Sequence, residues 1–301
     1  MKEPIITVIG SVNYDIIMKQ KRLAIKGETY TADSIAFSGG GKGANQAVQA
    51  AKLGAETHMI GQVGRDTFGD YLIGELEKYQ VNLDHMVRSD NTTGIGIVHA
   101  LETGEVYATI TTGANGDVSC EQIDRAEDLI ARSKILILQL EIPVKSVEYA
   151  IEMGRKHDCL ILLNAAPAMV ISDHALSQVD CLIVNEPEAS FYCGVKIEDF
   201  ISAQTNFSKL YSHFHGVLVI TLGAQGSFLY DMNDIFHIPT NDVKVVETTG
   251  AGDSYIGAMA YSLLQGKSYY DACLFGNSAA EITVTRVGAQ SSMPYKYEMP
   301  V

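Results

Sequence analysis

From residue 57 onward, short apolar runs alternate with stretches of helical spacing, and this restricts the fold more than any other feature of the chain. Residues 57–63, 134–139, 160–163, 181–184 and 217–221 read as buried strands, as do residues 5–10 at the start. Residues 68–79 and 144–157, the latter opening after Pro143, read as helices. Strands apolar on both faces, separated by helices, specify a mostly parallel sheet covered on each side. The expectation is therefore an α/β fold in three layers, α/β/α. With 301 residues, 47% of them hydrophobic, the chain can bury a large core. No linker, composition break or repeat divides it, so residues 1–301 are expected to form a single domain.

Two regions depart from this rhythm. Residues 16–37 alternate apolar and polar side chains around a turn at Gly27-Glu28-Thr29. In residues 94–112, Ile95, Ile97, His99 and Leu101 share one face before a turn at Thr103-Gly104. Both read as antiparallel β segments inserted into the α/β chain, a small lid that could also supply a dimer surface. A plain extension of the sheet edge would give the same pattern.

Charge excludes partners more than it names one. With 22 basic and 36 acidic residues, the net charge of −14 argues against nucleic acid and against an anionic membrane surface. A nucleotide remains accessible if N–H groups, a lysine or a divalent cation offset its phosphates. Cys120, Cys159, Cys181, Cys193 and Cys273 are scattered without a C-x-x-C pair, as expected of reduced thiols in a cytoplasmic protein. No secretory signal is expected at the N-terminus and no run approaches a membrane span. The N-x-[ST] matches at Asn91 and Asn206 are then chance.

Chemistry gathers where strands end. Gly250-Ala251-Gly252-Asp253, after Glu247-Thr248-Thr249, opens an apolar run of helical spacing. Glycines there bring N–H groups close to a ligand, and the first turn of a helix attracts an anion. A carboxylate at that mouth repels phosphate unless its task is to take a proton from the attacking nucleophile. The simpler alternative is a turn with Asp253 as helix cap. After the first strand, Asn13 and Asp15 are two apart on an extended segment, so both point to one side and suit adjacent hydroxyls of a sugar. An Asx-turn also accounts for them.

Ser38-Gly39-Gly40-Gly41-Lys42-Gly43-Ala44-Asn45-Gln46 leads into a helix carrying Ala44, Ala47, Val48 and Ala51 on one face. It does not follow the first strand of a dinucleotide-binding unit. Lys42 is not followed by Ser or Thr, and Ala36 stands where a Walker motif needs glycine. Its backbone N–H groups are expected to hold a polar neutral ligand. Glu141 follows the strand at 134–139. Asn185-Glu186-Pro187-Glu188 opens a helix, where Glu188 either stabilises the helix dipole or orients water around Mg²⁺. The glycines in 221–226 suit a nucleotide or a hairpin turn.

These residues carry a resemblance. The segment 10–15, the run at 40–46, Asn185-x-x-Glu188 and Thr249-Gly250-Ala251-Gly252-Asp253 resemble the signatures of the ribokinase-like (phosphofructokinase B-type) sugar kinases, in order over nearly the whole chain. Segments 139–141, 163–168 and 284–290 are most similar to the ribose-phosphorylating branch. The resemblance implies a central sheet between helices with a β lid over the sugar, and phosphorylation of D-ribose at O5 by ATP, with Asp253 as base and an anion hole at Gly250, Ala251 and Gly252. It implies a sugar site of Asn13, Asp15, Gly40, Gly41, Lys42, Asn45, Glu141 and Asp253. Asn185, Thr221, Gly223, Gly226, Gly252 and Asn277 would bind the nucleotide, with Glu188 near Mg²⁺. It further implies a K⁺ site at Glu247, Thr249, Thr283, Arg286, Gly288 and Ser292, several through carbonyls, and a homodimer formed through the lid. The family usually has aspartate where Glu247 stands, which bears on K⁺ activation, and proline where Ala165 stands. Deoxyribose, a nucleoside such as adenosine or pseudouridine, or a ketohexose derivative are the alternative substrates. Few basic residues lie about the lid (Lys19, Lys21, Arg22, Lys26, Arg88), which favours an uncharged sugar. A non-catalytic sugar or nucleotide sensor is the alternative from another class.

Overall fold

The computed structural model describes residues 2–103, 105–211 and 214–300, with Val106 and Ala108 described by their backbone alone. Gly104, in the expected Thr103-Gly104 turn, lies outside them. The strands are β1 Ile5–Ile9, β2 Asn13–Gln20, β3 Ser34–Gly40, β4 Glu56–Gly64, β5 Asn82–Ser89, β6 Gly94–Leu101, β7 Val106–Thr111, β8 Ile135–Gln139, β9 Leu160–Asn164, β10 Cys181–Asn185, β11 Val217–Thr221, β12 Ser227–Tyr230 and β13 Ile235–Ile238. The helices are α1 Lys42–Lys52, α2 Thr67–Lys78, α3 Cys120–Arg125, α4 Glu127–Arg132, α5 Val144–Lys156, α6 Asp173–Leu176, α7 Glu186–Cys193, α8 Phe200–Tyr211, α9 Ala251–Leu264 and α10 Tyr269–Val284.

A nine-stranded sheet runs in the order β13-β12-β11-β10-β9-β8-β1-β4-β5. Its strands are parallel from β5 to β11, and β12 and β13 add an antiparallel edge. Alternate side chains divide the core in two. Ile5, Leu136, Ile161 and Leu218 pack with Ile123, Val147 and Leu210 of one helical layer. Ile6, Ile135, Leu162 and Val219 pack with Val48, Leu76, Met259 and Cys273 of the other. This is why the strands are apolar on both faces, since neither side of the sheet meets water. β5 was not expected: as an edge strand it is partly exposed and lacks an apolar run.

The lid is a separate four-stranded sheet, β3-β2-β6-β7. Its outer pairs, β2·β3 and β6·β7, are antiparallel as expected, but the central pair β2·β6 is parallel. Residues 21–93 separate that pair: β3 returns the chain to the Asn13 end of β2, and residues 41–93 pass through the main body before β6 starts at the same end. Both β2 and β3 reach into the main body at Asn13 and Gly40, so the lid is joined to the body at those buried residues.

Candidate active site

The start of α9 follows a left-handed turn at Gly250, φ 77°. That turn closes a hydrogen bond from Ala251 N to Thr248 O (3.2 Å), and Ser254 N donates to Gly250 O (2.8 Å). The Ala251 amide is therefore used internally, contrary to its expected place in an anion hole. The amides of Gly250, Gly252 and Asp253 have no acceptor among the described residues. Asp253 lies in the same turn, 9% exposed. Its Oδ2 accepts from Asn45 Nδ2 and its Oδ1 from Gln46 Nε2, each at 2.9 Å. Gln46 is held in turn by Gln139 Nε2 (2.6 Å) and Asn164 Oδ1 (3.1 Å). Burial pushes the Asp253 carboxyl above its ordinary pKa, opposed by Lys42 and by the Asn45 and Gln46 amides. The carboxylate is thus aimed by two amides and made more basic than a free aspartate.

Helix α1 begins after Gly41, φ 87°. A Cβ on Gly41 would stand 2.7 Å from Asn13 N, and one on Gly43 2.7 Å from Ser11 N. Glycine is required there for packing against the segment after β1. The amides of the first three helical residues are taken by the chain itself: Lys42 N donates to Glu141 Oε2 (3.1 Å), Gly43 N to Ser11 Oγ (3.4 Å) and Ala44 N to Ser11 O (2.9 Å), while the Gly41 N–H just before them has no acceptor among the described residues. Glu141 Oε2 also accepts from Ser11 Oγ at 2.5 Å. The expectation that this glycine turn holds a ligand through its amides is thereby narrowed to the Gly41 N–H, since Ser11 and Glu141 take the next three. What α1 offers the cleft is the Lys42 ammonium. Burial would lower its pKa, but Asp253, Glu141 and Glu188 outweigh this and leave it above the usual lysine value.

On the lid strand, Asn13 and Asp15 share a face. Glycines make room for the acid: a Cβ on Gly40 would lie 2.0 Å from Asp15 Oδ2, and one on Gly96 2.4 Å from its Oδ1. Burial, then the charges of Glu141 and Asp253, raise the Asp15 pKa to about 7.

The other side of the cleft, about 230 Å³ in volume, brings Asn185, Glu188 and Thr221 to Lys42, Gly250, Gly252 and Asp253. Asn185 and Glu188 form a reciprocal cap on α7: Glu188 N donates to Asn185 Oδ1 and Asn185 N to Glu188 Oε2, each at 2.9 Å. The other oxygen of Glu188 takes no hydrogen bond among the described residues, and burial raises this acid's pKa against the pull of the Asn185 N–H and Lys42. Gly223 and Gly226 do not line the cleft. They turn β11 into β12, and a Cβ on Gly226 would lie 2.0 Å from Ile238 O. Asn277 also stands off the cleft; its amide donates to Ile238 O and Pro239 O, both at 3.1 Å, and fixes the end of β13.

Behind α9, Glu247 Oε2 accepts from Gly288 N (3.1 Å). Thr283 Oγ1 bonds Ser254 Oγ (2.8 Å), and Ser292 Oγ donates to Ala289 O (2.6 Å). Arg286 reaches Ser292 O (3.4 Å) and pairs with Glu298 (2.7 Å). Thr249 is exposed. Glu247, Gly288 and Ser292 are thereby drawn into one loop structure, with most side-chain groups engaged inside it.

Sequence reasoning missed the roles of Gln46, Gln139 and Asn164 in fixing Asp253, although each stood in a quoted segment. Asn115, whose Nδ2 donates to Asn13 Oδ1 at 2.7 Å, lies in a short 3₁₀ turn without any periodic signal.

Residues 4–296 match the pfkB family carbohydrate kinase pattern. A ribokinase of Haemophilus influenzae is 35% identical over 294 residues, covering 97% of this chain and 96% of that protein. A deoxyribokinase of Salmonella typhi is 33% identical over 291 residues, covering 96% and 95%. The structure of Arabidopsis thaliana ribokinase complexed with ribose and ATP superposes with a TM-score of 0.90 at 30% identity, covering 99% of this chain and 97% of that one. An aspartate aimed across open helix-start amides, under a β lid and at the end of a parallel sheet, is thus joined to a family match over almost every residue: the chain belongs to the pfkB family of carbohydrate kinases.

Proposed function

We propose that this protein transfers the γ-phosphoryl group of ATP to O5 of D-ribose, giving ribose 5-phosphate and ADP. The observation that carries the reading is the Asp253 carboxylate, held by Asn45 and Gln46 beside the unpaired amides of Gly250, Gly252 and Asp253. Similarity to ribokinases, one of them seen with ribose and ATP, supports the substrates. Asn13, Asp15 and Glu141 lie on the sugar side, with Gly40 leaving space for Asp15; Asn185 and Thr221 lie on the nucleotide side. Asp253 takes the proton of the attacking hydroxyl. A loose phosphoryl transition state needs little deprotonation early, so positioning and charge stabilisation dominate. The open amides and the Lys42 ammonium stabilise charge on the moving group.

Glu188 fits a Mg²⁺ role because one carboxylate oxygen remains unused beside the cleft, and Mg²⁺ needs few protein carboxylates when phosphates and waters complete its shell. When bound, the ion neutralises charge between the phosphates. A K⁺ site near Glu247 is supported by that carboxylate's second oxygen and by the carbonyls of Thr249 and Gly288, which accept no backbone hydrogen bond among the described residues. Ile35, Phe37, Ile97 and Tyr107, exposed on one lid face, support a homodimer formed through the lid. Among the described residues no helix is long and apolar enough to cross a membrane. Five free cysteines support a reducing, cytoplasmic setting.

The test is an ADP-release assay with ribose, 2-deoxyribose, adenosine and a ketohexose as acceptors, with and without K⁺. Ribose is expected to give the highest kcat/KM. A better 2-deoxyribose or adenosine value would replace the substrate, and calorimetric binding of ribose and ATP without ADP formation would make the protein a sensor.

A further inference from the structure

We infer that Asn115 is a positioning residue that turns the Asn13 amide so that Asn13 presents its NH₂, a hydrogen-bond donor, to the sugar. The deduction starts from a group whose polarity is fixed. Val12 N–H donates to Asn115 Oδ1 at 2.8 Å. The other end of the Asn115 amide is therefore its NH₂, which donates to Val12 O (3.2 Å) and to Asn13 Oδ1 (2.7 Å). The Asn13 oxygen is thus committed, and its nitrogen is left facing elsewhere. That nitrogen donates to nothing among the described residues and is not among their sealed, unpaired polar atoms, so it remains open to a ligand.

The pair is held tightly. Asn13 and Asn115 are 3% and 1% exposed. A Cβ on Gly94 would lie 2.4 Å from both Asn115 Nδ2 and Asn13 Oδ1, so the glycine at the start of β6 closes over them. Ala114 N donates to Thr92 O (2.8 Å), tying the turn that carries Asn115 to the entry of the lid. Asp15, two residues on and on the same face, is an acceptor in its ionised form. The lid strand therefore reads its ligand as donor, then acceptor: one sugar oxygen that accepts and one hydroxyl that donates. A site built to bond a particular hydroxyl rejects a ligand with the wrong polarity strongly, because its own groups are left unpaired.

This rests on the sugar reading above, and the test separates the two. Asn115→Asp keeps the acceptor for Val12 N–H but sets a second acceptor against Asn13 Oδ1, so the Asn13 amide turns over and offers oxygen to the sugar. The expected result is a ribose KM raised about 10- to 100-fold, with ATP KM and saturated kcat within about twofold, as for lost uniform binding. A native melting curve and ATP KM with unchanged ribose KM overturns the inference. Should Asn115→Asp fail to fold, Asn13→Asp, isosteric and still able to accept from Asn115, is expected to raise ribose KM likewise; an unchanged KM again overturns it. Side-chain amide exchange by NMR needs no sugar: in the wild type the Asn13 NH₂ is expected to exchange faster than that of Asn115, and the reverse order overturns the inference. A wild type inert towards ribose but with that exchange order would sink the substrate alone.

Discussion

Helices α1 and α9 both begin after a glycine with positive φ and bring their first turns to one cleft, yet one end is mostly filled by the chain and the other mostly open. At α1, Ser11 and Glu141 take the amides of Lys42, Gly43 and Ala44 and leave only that of Gly41. At α9 only Ala251 is taken, by Thr248, and three amides stay free beside a buried acid. The glycines differ in the same way. A methyl on Gly43 meets backbone at 2.7 Å, whereas one on Gly252 meets nothing within 4 Å. Glycine in the first turn of a helix therefore records close packing in one place and an approach route for a ligand in the other. Only the identity of what packs against the helix start tells them apart.

The sharpest way to break the comparison is at Asp253. Asp253→Asn is expected to lower kcat by roughly 10²–10⁴, the usual worth of a general base, with ATP KM nearly unchanged. A wild-type turnover number in steady-state assays would show that the open end does not do acid–base chemistry. The closed end should answer in stability instead. Gly43→Ala forces Cβ against Ser11 N and the backbone of Gly10, and overpacking of that kind costs about 1–3 kcal/mol. Denaturant unfolding measures it, and no loss of stability would mean that the α1 contact is looser than these distances imply.

The sequence carried the strand ends and the acid at α9 because those signals are local: an apolar run, a glycine turn, a carboxylate at the start of a helical pattern. The fate of the α1 amides was not local. It depends on Ser11, 31 residues before Lys42, and Glu141, 99 residues after it, and nothing in spacing records that meeting. The same holds for Asn115 and Asn13, and for the parallel pairing of β2 with β6 across residues 21–93. Gly226 and Asn277 show the converse. Their residue types suit a nucleotide site, and the fold gives each a second reason, the approach of Ile238 to Gly226 and the tie of Asn277 to the end of β13, both of which are tertiary facts.

Between the two helix starts stands Asp15, whose pKa of about 7 comes from burial first and then from Glu141 and Asp253, one carboxylate from each end of the comparison. Its folded value lies above the unfolded 3.8, so its contribution to stability is fully present below 3.8 and is lost as pH rises through about 7. Sugar binding should move the opposite way, since the ionised form is the acceptor. With ATP saturating, kcat/KM for ribose is expected to fall towards about tenfold per pH unit below 7. Glu141→Gln removes one of the two neighbouring charges and should shift that limb to lower pH. A limb that stays in place in the variant would show that Glu141 does not act on the acid.

The smallest expected effect is also the one that separates packing glycines from ligand glycines. Gly252 has no positive φ, lies in the first turn of α9 and lines the cleft. Gly252→Ala therefore costs no strain, and exchanging glycine for alanine in a helix is worth roughly 0.5–1 kcal/mol, less at a terminus than in the interior. Thermal melting should rise slightly while ATP KM rises with it, because the new methyl occupies the approach to the open amides. Gains in stability and losses in nucleotide affinity from one methyl have a single source if glycine is kept at this position for the ligand alone. A variant that melts lower would place Gly252 with Gly43, as packing, and erase the contrast between the two helix starts.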